Sequence, residues 1–444
     1  MFVFRCYLFI GCMALTLSAL GSALFAYDVS QDLDDFLSAG RLKDGEVFFE
    51  KQAAIGSTKD ETQVALGIIR FLKAVEYLGQ SGYQHGLLNH RVQAIPMLRM
   101  PVPSNPNPKP LSYEGLREIV AEFQTKLKAA EATLAEVPTE SIFLKFYIGR
   151  AKLDLDGDEA FAANETLWRI FFNLNRGLAT GGLGGSGTPN DDDTPDAAFQ
   201  SAAEAFYVGV DGTDVHWLRG YCHFLMAVCD GALAYDEREL FERCGQLFFP
   251  NIESPFKITK EATNPALGIF DMGVLLDSVA AIHLIDFKLV DTERMKSARH
   301  HLLSMIEQSR LQWERALAET DNDHEWLPNP KQTGVLNMPV QSNIILGWKA
   351  VLDELESLLE GKKLLPLVRD NVFLSNDTRA RAQPIGINVK KFFDEPTDFD
   401  LILAIQGTGV EQYVEPGRVS DSRTWQELTR VFRGDFFGFA VWFN

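Results

Sequence analysis

The amino-acid sequence predicts a mainly α fold: a multi-helix bundle or irregular helical array with a small C-terminal α+β element. Three observations carry this. Apolar residues recur at threes and fours as far as about residue 360, the spacing that gives a helix one apolar face. Stretches rich in proline or glycine interrupt that pattern and separate the helices. Short β-branched and aromatic runs enter only after Pro366. A hydrophobic share of 46% is ordinary for a globular chain and too high for disorder.

The first element is not part of this array. Arg5 precedes an apolar run from Cys6 to Leu20, and the small residues Gly21, Ser22, Ala23 and Ala26 follow before the first acid, Asp28. A charged start, an apolar middle and a small-residue exit read as a cleavable signal peptide over residues 1–26, cut after Ala23 or Ala26. The expected location is therefore periplasmic or secreted. A retained membrane anchor is the alternative, since the apolar run is nearly long enough to span a bilayer. A lipoprotein cut at Cys12 is disfavoured because the chain stays apolar well beyond it.

The helices follow in order. Residues 59–80 form one, and Leu116, Ile119, Val120, Phe123, Leu127, Ala130 and Leu134 mark another over 112–137. Further helices are predicted over 141–153, 164–175, 214–234, 237–248 and 266–288. Met295, Ala298, Leu302, Met305, Ile306, Ser309, Trp313, Ala316 and Leu317 mark the next, and 342–360 the last. Pro101–Pro110, with five prolines in ten residues, is a stiff loop between helices. Leu327-Pro328-Asn329-Pro330 opens a second loop that ends near Pro339.

Gly181–Pro195, glycine-rich and then acidic, is the best candidate linker. It divides an N-terminal helical domain (27–180, with 181–195 as linker) from a second one (196–365), and residues 366–444 form the C-terminal element. There, Ile387-Asn388-Val389, Leu401–Ile405 and Phe436–Phe443 read as strands around a short helix at Thr424–Phe432. No repeat of fixed period is present, and no segment after the signal is apolar enough to cross a membrane.

Cys222, Cys229 and Cys244 remain once the signal is removed, an odd number for an oxidising compartment. Cys222 and Cys229 lie about 10 Å apart along one helix, too far to bridge. A turn near Tyr235-Asp236 would set Cys229 opposite Cys244, which predicts a disulfide between them. Three reduced, buried thiols are the alternative. Removing residues 1–26 takes the net charge from −19 to −20, because Arg5 leaves and no acid does. Such a balance argues against nucleic acid and anionic membranes, whose phosphates need Lys and Arg, and favours attraction of cations.

One motif carries chemistry. The run Asp154-Leu-Asp156-Gly-Asp158-Glu-Ala160-Phe161-Ala-Ala-Asn-Glu165 resembles the EF-hand calcium loop over twelve residues. Calcium takes six to eight oxygens. The resemblance implies side-chain ligands at Asp154, Asp156 and Asp158, the backbone carbonyl of Ala160, and a closing carboxylate at Glu165. Phe161 stands at the eighth place, which is apolar in the family. The flanks predict an entering helix with Phe143, Phe146, Tyr147 and Ala151 on one face, and an exiting one with Leu167, Ile170, Phe171 and Leu174. The sixth place departs from the family: Glu159 stands where glycine makes a turn with positive φ, at a cost of about 1 kcal/mol. The alternative is an acidic turn that caps the helix after Asn164.

Elsewhere the chemistry is sparse. His216, His223 and Asp230 are spaced by sevens on one helix, which places them roughly on one face without making a metal-ligand set. His300 and His301 are adjacent and diverge by about 100°. His324 and Glu325 precede the second proline loop. No nucleophile elbow, phosphate loop, HExxH or CxxC pair is present. The expected function is therefore an exported helical scaffold or binding protein, more consistent with no enzymatic role, with one weak structural calcium site and an unidentified protein or small-molecule partner. The alternative is a hydrolase-like enzyme with a site between the helical body and the C-terminal element, around His216, His223 and His324. A two-lobed solute-binding protein is disfavoured by the lack of alternating strands and helices.

Overall fold

The computed structural model describes residues 28–55, 59–89, 100–138, 140, 142–161, 165–167, 204–257, 272–335, 340–368, 384–421 and 425. The signal segment, the 181–195 linker, the exiting helix beyond Leu167 and the Phe436–Phe443 strand lie outside these residues.

The fold is mainly α, as the periodicity predicts. Helices α1 (Val29–Ser38), α2 (Leu42–Ile55), α3 (Lys59–His85) and α4 (Tyr113–Ala135) build the N-terminal part. Helices α5 (Gly212–Ala234), α6 (Arg238–Cys244), α7 (Met272–His283), α8 (Thr292–Ala318) and α9 (Ser342–Leu359) follow. Capping side chains define several starts, because the first amides of a helix have no partner within it. Ser112 Oγ accepts from Gly115 N–H at 3.0 Å. Asp291 accepts from Glu293 and Arg294, and Asp211 forms a reciprocal capping box with Asp214.

α5 and α8 pack along most of their length, and α4 lies against both α3 and α5. Phe123, Leu127 and Ala130 of α4 meet Ala74 of α3 and Cys222, Met226 and Cys229 of α5 in one buried cluster. The principal core crosses the expected domain boundary: Leu33, Phe49, Ile69 and Leu155 share one apolar cluster with Val215, Ile306, Trp313 and Trp348. The described parts of the two proposed helical domains are therefore continuous in one core. The linker composition spoke only to local chain stiffness and not to which faces pack together.

Segment 141–153 departs from expectation. Leu144–Phe146 is a strand, β1, paired antiparallel with β2 (Val208–Val210) through Leu144↔Val210 and Phe146↔Val208. The aromatic run is too short for periodicity to separate helix from strand, and the pairing partner lies some sixty residues away. Strand β3 (Tyr235–Asp236) pairs with β4 (Asp286–Leu289), and β4 pairs with β6 (Phe399–Asp400), both antiparallel.

The C-terminal element docks on the helical body. Phe392, Phe393 and Phe399 pack against Ala234, Tyr235 and Met295, and Arg299 Nε lies 2.9 Å from Asp394. Its strands differ from those expected. Ile385–Ile387 is β5 and pairs with β7 (Val414–Pro416), while Val389–Asp394 is helix α10. Leu401–Gln406 is helix α11, not a strand. Asp400 caps its start through Leu403 N–H at 2.8 Å, and Gly407 ends it at φ 109°. Those two punctuating residues override the apolar run between them. Among the described residues, no helix is long and apolar enough to cross a membrane.

Candidate cation loop and buried polar clusters

The Asp154–Glu165 loop is framed differently from an EF-hand. Its entering side is β1 and turns, not the helix expected from Phe143, Phe146, Tyr147 and Ala151. A short antiparallel bridge closes it: Leu153 N–H donates to Glu165 O and Leu167 N–H to Ala151 O, both at 2.8 Å, across the pair Lys152 and Thr166. Lys152 N–H also donates to Leu37 O at 2.9 Å, which ties the loop to α1.

Within this frame Asp154, Asp156 and Asp158 each bring a carboxylate oxygen within 4.8 Å of the others. Each carboxylate also orders the turn. Asp154 accepts from Gly157 N–H at 2.7 Å and Glu159 N–H at 3.3 Å, Asp156 from Asp158 N–H at 3.1 Å, and Asp158 from Ala160 N–H at 2.7 Å. Glu159 occupies the left-handed region at φ 61°, the conformation the sixth place of the loop requires. Phe161 packs against Gly40, whose φ is +68°. Partial burial and the neighbouring Asp158 and Asp154 push the Asp156 carboxyl above its ordinary range.

Glu165 is 1% exposed, and its Oε1 accepts from Leu155 N–H at 2.9 Å. It is therefore turned inward, and the oxygens that converge within 4.8 Å are those of Asp154, Asp156 and Asp158 without it. A fifth acid that the linear motif does not reveal stands below them. Glu76 of α3 accepts from Asp154 N–H at 3.0 Å, and Gln80 Nε2 donates to Asp154 O at 2.9 Å. Burial raises Glu76 to about 7, aided by the charges of Asp154 and Glu165. Nothing in the sequence near 154 points to residue 76; only the packing of α3 brings it there.

The sevens on α5 have a structural explanation. His216 Nδ1 pairs with Gln308 Oε1 at 2.8 Å, His223 Nδ1 with His301 Nδ1 at 3.0 Å, and Asp230 Oδ1 with Arg294 at 2.8 Å. Each step of seven along α5 meets a step of seven backwards along α8, so the three form polar rungs of an antiparallel helix pair. Glu131 of α4 joins them, 3.4 Å from His223 Nε2 and 2.9 Å from Arg219. Burial lowers the pKa of His216, and burial with His223 lowers that of His301. His324 makes none of these rungs: its ring lies against Tyr207, centroids 3.9 Å apart and tilted by 30°, and its backbone is left-handed at φ 65°. It lines a cavity of about 410 Å³ with Phe206, Asn322 and Thr333. The three histidines therefore engage three different partners.

A second acidic group joins Asp211 at the start of α5 to Glu319 and Glu325, again within 4.8 Å. Thr213 Oγ1 donates to Glu319. Burial, with Glu319 next to it, pushes Asp211 up to about 7; burial does the same for Glu325. Asp211 lies more than a hundred residues from Glu319 and Glu325 in the chain, so no spacing rule joins it to them.

The predicted Cys229–Cys244 bridge is not formed, and all three thiols are free and buried. Cys229 faces α4 among Phe123 and Leu127, whereas Cys244 packs with Leu247 and Val274. Strand β3 between α5 and α6 breaks the simple hairpin that would have set them face to face. Burial raises Cys229 to about 12 and Cys244 to about 11, so neither is a ready thiolate.

Comparison with protein-family models, with curated proteins and with solved structures returns no match to this chain.

Proposed function

We propose that the protein is an exported, non-enzymatic helical scaffold or binding protein whose Asp154–Glu165 loop takes calcium as a structural clip. The observation that supports this reading is the convergence of Asp154, Asp156 and Asp158 within 4.8 Å around a backbone already held left-handed at Glu159. Hard divalent cations bind such oxygen clusters, and calcium tolerates irregular ligand sets better than magnesium does. The cation would act on more than the loop, because the same segment contacts α1 through Leu37, the turn after α1 through Gly40, and α3 through Glu76 and Gln80. In an exported protein the site would meet millimolar calcium, which suits a weak ligand set.

Calorimetric titration of the chelator-treated protein with calcium, paired with thermal melting, tests this. Saturable heat and a rise in Tm at millimolar calcium are expected, both lost in Asp156→Ala/Asp158→Ala. Absence of heat at millimolar calcium, or an unchanged response in the double variant, overturns the reading.

A further inference from the structure

A cavity of about 400 Å³ opens where α4, the end of α5, α6 and α7 meet. Leu116, Val120, Leu233, Phe241, Phe248 and Ile285 form much of its wall. Arg117 and Glu237 are the only charged residues in its lining among the described residues, and they stand together with Tyr113. Tyr113 Oη donates to Glu237 Oε2 at 3.1 Å, and Arg117 Nη1 lies 3.4 Å from the same oxygen. The Arg117 and Glu237 side chains are 27% and 23% exposed, so the charged pair sits at a rim above a hydrocarbon interior.

Two further features describe the ligand this shape fits. Arg117 is held at the rim by the carbonyls of Leu233 and Tyr235, at 2.7 and 2.6 Å. Burial pushes Glu237 up to about 7, so near neutral pH its carboxyl is partly protonated and leaves the Arg117 charge incompletely countered. At the other end Ile282 lines the cavity and is half exposed, and it continues into Val279, Leu276 and Met272, an open apolar face of α7. A concave apolar volume within roughly 300–1,000 Å³ and a few convergent polar groups are the marks of a small-molecule site.

We propose that this cavity binds a long-chain fatty acid, with the tail against Phe241, Phe248 and Ile282 and the carboxylate at Arg117. An amine head would meet Arg117 as a like charge, and a wholly apolar ligand would leave the rim cation without a new partner.

The test is displacement of the fluorescent cis-parinaric acid from the full chain by oleate, with oleyl alcohol as the uncharged comparison. Saturable oleate binding at one site, at least tenfold tighter than oleyl alcohol, is expected. Ala232→Trp and Ala281→Phe, each filling the cavity from a residue that is not fully buried, should weaken oleate at least tenfold; thermal melting identifies which of them remains folded. Glu237→Gln removes the competing carboxylate and should tighten oleate several-fold at pH 8 while leaving oleyl alcohol unchanged. No saturable oleate binding to the unaltered protein, or unchanged affinity in a folded cavity-filling variant, overturns the site. Equal binding of acid and alcohol together with no effect of Glu237→Gln overturns the acidic head.

Discussion

At residue 159 a glutamate holds the left-handed backbone that glycine adopts without a side-chain clash. Glu159→Gly should therefore stabilise the fold by about 0.5–1 kcal/mol and tighten calcium, the gain being reduced by glycine's greater freedom in the unfolded chain. Urea denaturation with and without calcium measures both, and a loss of stability would contradict the strain at this position. Gly40 presents the opposite case. A Cβ there would lie 1.9 Å from Phe161 Cζ, on a backbone at φ +68°. Gly40→Ala should cost on the order of 2 kcal/mol or more, and denaturation midpoints close to the parent would show that Phe161 moves freely. The motif made Glu159 and Phe161 legible from sequence because a loop position imposes its own local geometry. Gly40 and Glu76 were not legible, since their roles exist only where α1 and α3 reach the loop.

Between elements, the α5–α8 pair shows how polar rungs define a register. A slip of one turn would set His223 against Met305 and Asp230 against Ala298, leaving buried polar groups without partners. The lowest rung carries the largest penalty if broken. The Asp230 side chain is 4% exposed, and Arg294 lies 2.8 Å away. Arg294→Met should cost about 3–5 kcal/mol, because a buried carboxylate loses its counter-ion. Adding Asp230→Leu should recover much of that loss. A double-mutant cycle by chemical denaturation checks both, and additive losses would show that the two residues do not act as a pair. The spacing by sevens was visible in the sequence, but its meaning was not. A helix face does not state which helix covers it, and His301, Gln308 and Arg294 became partners only through the antiparallel packing.

Across the whole molecule, buried acids set a pH dependence. Glu76, Asp211, Glu237 and Glu325 are each raised to about 7 from ordinary values of 4.5 or 3.8, with burial the leading cause. The folded chain therefore binds protons more tightly at these sites than the unfolded chain does. Their favourable contribution is complete below about pH 4 and is lost as pH rises through about 7. Glu46, Glu131 and Asp394 are lowered, and their contribution is lost on acidification below about pH 4. Stability should therefore be greatest at mildly acidic pH. Thermal melts should give a higher Tm at pH 5.5 than at pH 8, and a Tm that rises steadily to pH 8 would refute this. If calcium binds above Glu76, it should narrow the gap by countering the carboxylate charge at high pH.

Features that depend on near neighbours in the chain were readable from the residues alone. The apolar spacing of α4, α5 and α8 defined helices, and the alternating aspartates of 154–158 defined a turn with converging oxygens. Both follow from backbone periodicity and reach only a few residues along the chain. Tertiary structure alone decided what depends on distant partners. It joined the described helices in one core across the expected linker, turned Leu144–Phe146 into a strand against Val208–Val210, kept Cys229 away from Cys244, and hollowed the cavity beneath Arg117. Each of those outcomes required surfaces from separate parts of the chain to meet, and packing chose among partners that local pattern left equivalent.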